Sequence, residues 1–230
     1  MFGARHPEKA YLAPFLGFLL FLGLAGMVAH LFDGSRHWAL SEPQYWAYPL
    51  QSFACSVLLI LGWRSYRLTA PGFSTTALAL AAGGIAFVVW IAPQCWMAAA
   101  PRTTGFNPEF FGAAGGGYLA NVGFRFFRLV IVVPLVEEIF WRGFLLRYLI
   151  DEDFTRVPLG AFSWKSWGIV MAGFCLEHAR VDWLGAFVTG VLYNLVIYRT
   201  RSLSACVLAH AVTNLLLGLY VMKTRQWGFW

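Results

Sequence analysis

The chain has 230 residues, of which 59% are hydrophobic and 12% charged, against a charged share of about 25% in an average soluble domain. That composition excludes a soluble globular domain and marks an integral membrane protein. The formal net charge is +6, but the basic residues stand in ones and twos between apolar runs, without a basic helix or patch, so they point to membrane topology rather than to nucleic acid.

The polar start Arg5-His6-Pro7-Glu8-Lys9 precedes an uncharged run from Ala10 to Phe32. Its roughly 23 residues can cross a bilayer, and it reads as an uncleaved anchor, because a signal peptide has an apolar core of about 7 to 15 residues ending at a small-residue cleavage site. Asp33-Gly34-Ser35-Arg36 reads as a turn. A second span, Ala47 to Trp63, carries Gln51 and ends at Arg64 and Arg67, and Pro71-Gly72 breaks the chain after it. The third span, Thr75 to Ala100, has Gly83-Gly84 in its middle and Pro93 near its end, which predicts a kink or a close helix contact. The linker from Pro101 to Gly117 is rich in Gly and Pro. Its closing Gly115-Gly116-Gly117 lacks both the GxGxxG spacing and the preceding strand of a phosphate loop. Phe124-Arg125-Phe126-Phe127-Arg128 mixes aromatics with arginines, as at a helix entering through the headgroups, so Arg125 and Arg128 are expected to be snorkelling interfacial anchors rather than a substrate-binding pair.

A fourth span runs from Leu129 to about Ile150 and ends at Asp151-Glu152-Asp153. A short fifth, Ser166 to His178, leads into Glu177-His178-Ala179-Arg180-Val181-Asp182; a sixth covers Trp183 to Tyr198; a seventh covers Leu203 to Met222. The expected fold class is all-α: a polytopic membrane bundle of seven helices, eight if residues 106–123 re-enter, around an intramembrane cavity. It forms one domain over 1–230, with residues 1–120 free of motifs and the catalytic core helices in 121–222. Cys55, Cys95, Cys175 and Cys206 fall in apolar segments without metal or redox spacing and are expected to be buried free thiols. Under the positive-inside rule a cytoplasmic amino terminus puts Arg5, Lys9, Arg64, Arg67, Arg147, Arg156, Lys165, Arg199 and Arg201 inside. Arg36, Arg102, Arg125, Arg128, Arg180, Lys223 and Arg225 then fall outside.

The stretch from Val133 to Gly143 is the least expected in such a chain, because Glu137, Glu138 and Arg142 sit inside an otherwise apolar run. A charge at the centre of a membrane helix costs roughly 2.5 to 3.5 kcal/mol on insertion scales, so three in six residues imply function. In a helix Glu138 and Arg142 share a face and neutralise each other, whereas Glu137 points about 100° away without a partner in its own helix. Counted from the cytoplasmic span ends, Glu137, His178, His210 and Asn214 all fall roughly 10 to 20 Å deep, where they can meet. His210 and Asn214, four apart, project from one face. Taken alone they would be polar glue between helices, and His178 alone an interfacial residue beside Arg180 and Asp182. Combined with Glu137 they form a catalytic set. A carboxylate in a water-poor cavity holds its proton to higher pH and can exchange one with water, a histidine can position that water, and a second histidine with an amide can bind a developing oxyanion.

The chain here resembles the CAAX prenyl endopeptidases and their bacterial relatives, the CPBP or ABI family of intramembrane proteases. The family's Glu-Glu-x-x-x-Arg stands as Glu137-Glu138-Ile139-Phe140-Trp141-Arg142, its Phe-x-x-x-His as Phe174-Cys175-Leu176-Glu177-His178, and its His-x-x-x-Asn as His210-Ala211-Val212-Thr213-Asn214. The three occur in the family's order over about 80 residues. The resemblance implies a peptide hydrolase in which Glu137 activates water with help from His178, His210 and Asn214 form the oxyanion hole, and Glu138 with Arg142 is the supporting ion pair. It implies no cofactor. Zn²⁺ is disfavoured, since there is no HExxH helix and Asn is a poor zinc ligand. Implied partners are the bilayer and a membrane-associated protein or peptide, lipidated or carrying a carboxy-terminal sorting tail of the kind handled by exosortase and PEP-CTERM systems. The implied location is a bacterial inner membrane.

Two other classes compete. Family relatives are linked to bacteriocin immunity and to scaffolding, a reading that would be easier to hold had any motif residue been replaced. A proton-coupled transporter with Glu137, His178 and His210 as its relay predicts inverted repeats, yet the polar clusters occur only in the second half.

Overall fold

A computed structural model describes residues 7–230, so Arg5 of the expected inner-facing set, with His6, lies outside the described residues. The described chain is helical, without strands. Seven helices are numbered here: α1 (Glu8–Leu31), α2 (Gln44–Gly62), α3 (Phe73–Trp96), α4 (Gly116–Tyr148), α5 (Trp164–Leu176), α6 (Trp183–Thr200) and α7 (Leu203–Thr224). Local chemistry sets several ends. Glu8 lies in the first turn of α1, where the helix dipole favours a carboxylate. Pro71-Gly72 precedes α3, and Ser202 caps α7 by accepting from the backbone N–H of Ala205 at 3.3 Å. Arg201 and Arg225 close α6 and α7 in the left-handed conformation, at φ 52° and 56°.

Six of these helices are long and apolar enough to cross a membrane, all except α5. With 13 residues α5 is about 20 Å long, against a hydrocarbon core of about 30 Å. The expected seven helices therefore comprise six full-length ones and one short one. The eighth is not formed: residues 108–111 make a single 3₁₀ turn, and from Gly116 the chain is already in α4. The fourth span thus begins 13 residues before Leu129 and runs for 33 residues, about 50 Å. The glycine triplet has the composition of a linker. In the structure only Gly115, at φ 89°, makes the turn, and the aromatic residues after it continue the helix.

The amino-terminal half packs on the motif helix. Phe15 of α1 stacks on Phe140 with ring centroids 3.8 Å apart, and Tyr11 lies against Phe144 and Phe154. Apolar side chains such as Leu20, Phe53 and Ile60 cover the outside, the surface a bilayer would solvate. Cys55 and Cys206 are buried, but Cys95 is exposed and Cys175 half-buried, so only two of the four thiols are in the core. The other two face outward on spans that need only be apolar.

Gly83 is the close helix contact. A Cβ there would stand 2.5 Å from the Ala209 carbonyl oxygen and 2.9 Å from Val212 Cβ, whereas one at Gly84 would meet nothing. The approach brings Thr213 Oγ1 within 3.0 Å of the Gly83 carbonyl. Gly83→Ala is therefore expected to cost about 1–3 kcal/mol, since the obstructing atom is backbone, and Gly84→Ala to leave stability unchanged or slightly raised. Thermal unfolding of the two variants in one detergent checks the contrast.

Candidate active site

The site is built on an irregular stretch of α4. Residues Arg128–Val132 and Ile139–Leu145 are π-helical and bracket an ordinary α-helical segment, Val133–Glu138. Pro134 has no N–H and its ring crowds the carbonyl four residues back, which loosens the turn before it. A widened turn leaves carbonyls for side chains, and that of Leu129 accepts from Asn214 Nδ2 at 2.8 Å.

Glu138 and Arg142 are both fully buried. Arg142 Nη1 donates to Glu138 Oε1 at 3.1 Å, Nε to Asn194 Oδ1 at 3.1 Å, and Nη2 to the Gly190 carbonyl at 3.4 Å. The Phe174 and Tyr193 rings lie beside the guanidinium, with centroids 4.7 and 5.4 Å away. Glu138 Oε1 is also 2.9 Å from His210 Nδ1. One carboxylate thus ties the arginine of its own helix to the histidine of α7 and fixes the imidazole's orientation.

Glu137 faces elsewhere. It is 7% exposed, and its Oε2 is buried without a hydrogen-bond partner. It lines a cavity of about 510 Å³ together with His178, His210 and Asn214. His178 Nδ1 lies 2.8 Å from the Phe174 carbonyl. A carbonyl can only accept, so Nδ1 carries the hydrogen and Nε2 is left as an acceptor. The cavity rim is held by Arg102, which binds Asp182 through two bonds of 2.5 and 3.1 Å and covers Phe229.

Several residues at this site are given no part in it by the sequence. Glu177, adjacent to the motif histidine, turns into the cavity; its Oε1 accepts from Trp141 Nε1 at 3.2 Å, and its carboxyl lies against that of Glu137. The signal available was a charged residue next to a buried histidine. Asn194, deep in α6, is a polar residue in an apolar run, and no motif surrounds it. Arg125 and Arg128 were expected at the interface but are only 3% and 6% exposed and line the same cavity. Because α4 starts three turns earlier than expected, they lie within it rather than at its mouth. Among the described residues no three His, Cys, Asp or Glu side chains group as a metal set.

Fold and site together define a multi-pass helical membrane protein with a buried polar cavity of carboxylates, histidines and an amide. Residues 119–216, a segment that holds all three motifs, match the family described as Rce1-like, type II CAAX prenyl endopeptidase Rce1-like. No curated protein and no solved structure matches the chain. The description of that family names an endopeptidase.

Proposed function

We propose that the chain is an intramembrane endopeptidase that cuts near the carboxy terminus of membrane-associated proteins with a water activated by Glu137, as one membrane unit whose catalytic core is 121–222. The observation that carries this reading is the buried Glu137 carboxylate, with one oxygen unsatisfied, on a cavity wall shared with His178, His210 and Asn214. Water sits between Glu137 and Nε2 of His178, and Glu137 takes its proton as the oxygen adds to the scissile carbonyl. The oxyanion is stabilised by His210, whose ring is turned by Glu138, and accepts from the second amide hydrogen of Asn214. Glu137 then returns the proton to the leaving amine as the C–N bond breaks. Glu177, whose carboxyl lies against that of Glu137, is placed to share a proton with it while Glu137 acts as the base.

The proposed orientation has the amino terminus in the cytoplasm of a bacterial inner membrane. Arg64, Arg67, Arg147, Arg156 and Arg201 support it: they line one cleft with Pro7, the positive end expected inside. The test compares carboxy-terminal peptides of membrane proteins from cells carrying the wild-type chain with those from cells carrying Glu137→Ala at equal expression. A set of proteins that keep their tails only in the variant is the expected result; coincident profiles under conditions that require the gene would return the immunity or scaffold reading.

A further inference from the structure

Two arginines on α4 carry charge that no carboxylate among the described residues pairs. Arg125 and Arg128 stand three apart on one helix face, and both are more than nine-tenths buried. Their counterparts are matched: Arg142 by Glu138, Arg102 by Asp182, and Arg147 by the carbonyls of Gly143 and Val157. Among the described residues neither Arg125 nor Arg128 has an ion-pair partner. Nε and Nη1 of Arg125 are buried without an acceptor. Arg128 spends Nε on Gln51 Oε1, at 2.7 Å, and no other side chain or carbonyl is bonded to it. Around them stand aromatic faces, Tyr48, Phe106 and Trp230 about Arg125 and Phe18 and Tyr48 about Arg128, with centroids 4.3 to 5.6 Å from the guanidinium carbons. Burying two such cations is costly, and rings offset only part of that cost. An anion seated between two fixed planar forks, in a place with little water, offsets the rest.

The position of the pair identifies the anion. Both arginines line the cavity that contains Glu137. Along α4 they precede Glu137 by twelve and nine residues, roughly 18 and 13 Å. An extended peptide advances about 3.3 Å per residue, so four to five residues cover that distance. We propose that Arg125 and Arg128 form a carboxylate subsite that seats the free carboxy terminus of the peptide substrate four to five residues beyond the bond facing Glu137. The protein then measures its cut from the chain end. This rests on the peptidase reading above, which supplies the substrate but says nothing about these two residues.

The test is binding to the full chain in nanodiscs of phosphatidylcholine, in a Glu137→Gln background so that no turnover intervenes. The probe is an acetylated pentapeptide, Ala-Phe-Leu-Val-Ala, as the free acid and as the carboxamide. Charge-assisted bonds to two guanidinium groups should make the acid bind at least about tenfold more tightly. Adding Arg125→Gln should bring the ratio close to one, and Arg125→Lys should restore part of it. The acid-to-amide comparison needs no arginine variant, so a misfolded Arg125→Gln cannot hide the answer. Equal binding of the two forms, or no measurable binding of either at millimolar peptide, overturns the subsite even if Glu137→Ala cells keep their tails. Loss of the acid preference when phosphatidylglycerol is added overturns it in favour of a lipid phosphate. An Arg125-dependent preference without any tail difference in cells upholds the subsite and removes the peptidase reading instead.

Discussion

Glu137→Gln is expected to lower peptide hydrolysis by about a thousandfold or more while leaving the melting midpoint unchanged or raised. The size of the loss follows from the proposed chemistry: a positioned general base contributes about 10² to 10⁴ in rate, and an amide of the same shape cannot take the proton. The stability half follows from geometry. Glu137 Oε2 is buried with no hydrogen-bond partner, and its carboxyl lies against that of Glu177, so the native side chain is a burden to the fold. A buried carboxylate with one oxygen unbonded costs more than an amide in its place, and removing it relieves the neighbouring carboxyl as well. A residue placed for packing would show the opposite pattern, with activity and melting temperature falling together. Single-turnover cleavage beside thermal unfolding of the same preparation separates the two. Residual cleavage within tenfold of wild type would take the role of base away from Glu137.

Much of this site is legible in the sequence because a membrane makes polar residues conspicuous. In an apolar run each carboxylate or histidine needs a reason, and counting 1.5 Å per residue from the span ends was enough to bring Glu137, His178, His210 and Asn214 to one depth. The i, i+4 spacing of Glu138 and Arg142 likewise survives in the structure, at 3.1 Å, although the turn that joins them is π-helical. What was not legible is where a helix starts when its first turns contain glycine and arginine. Gly115-Gly116-Gly117 has the composition of a linker, and Arg125 and Arg128 resemble an interfacial girdle. Tertiary packing overrides both impressions, because Tyr48, Phe106 and Trp230 come from segments distant in the chain to enclose Arg125. No local pattern contains that information. Glu177 was hidden for a related reason: as the residue after α5 it could face either way, and the Trp141 indole that draws it inward lies 36 residues earlier.

Arg142→Ala is expected to do what Glu137→Gln does not, destabilising the chain by about 3–5 kcal/mol and lowering its abundance in the membrane. The guanidinium satisfies three acceptors on two helices, and without it Glu138 remains at zero exposure with only His210 to balance it. The Gly190 carbonyl and Asn194 Oδ1 lose their donor in the same step. Arg142→Lys should recover little, because an ammonium is a point charge and cannot reach Glu138, Asn194 and Gly190 in the plane of one fork. Replacing both partners, Glu138→Gln with Arg142→Met, should recover more than half of the lost stability, since no unpaired buried charge then remains. Activity should stay absent in that double variant, as His210 has lost the carboxylate that orients its ring. Unfolding midpoints and membrane abundance of the three variants check the order. If the double variant is no more stable than Arg142→Ala, the pair's contribution lies in the contacts of Arg142 with Phe174 and Tyr193 rather than in matched charge.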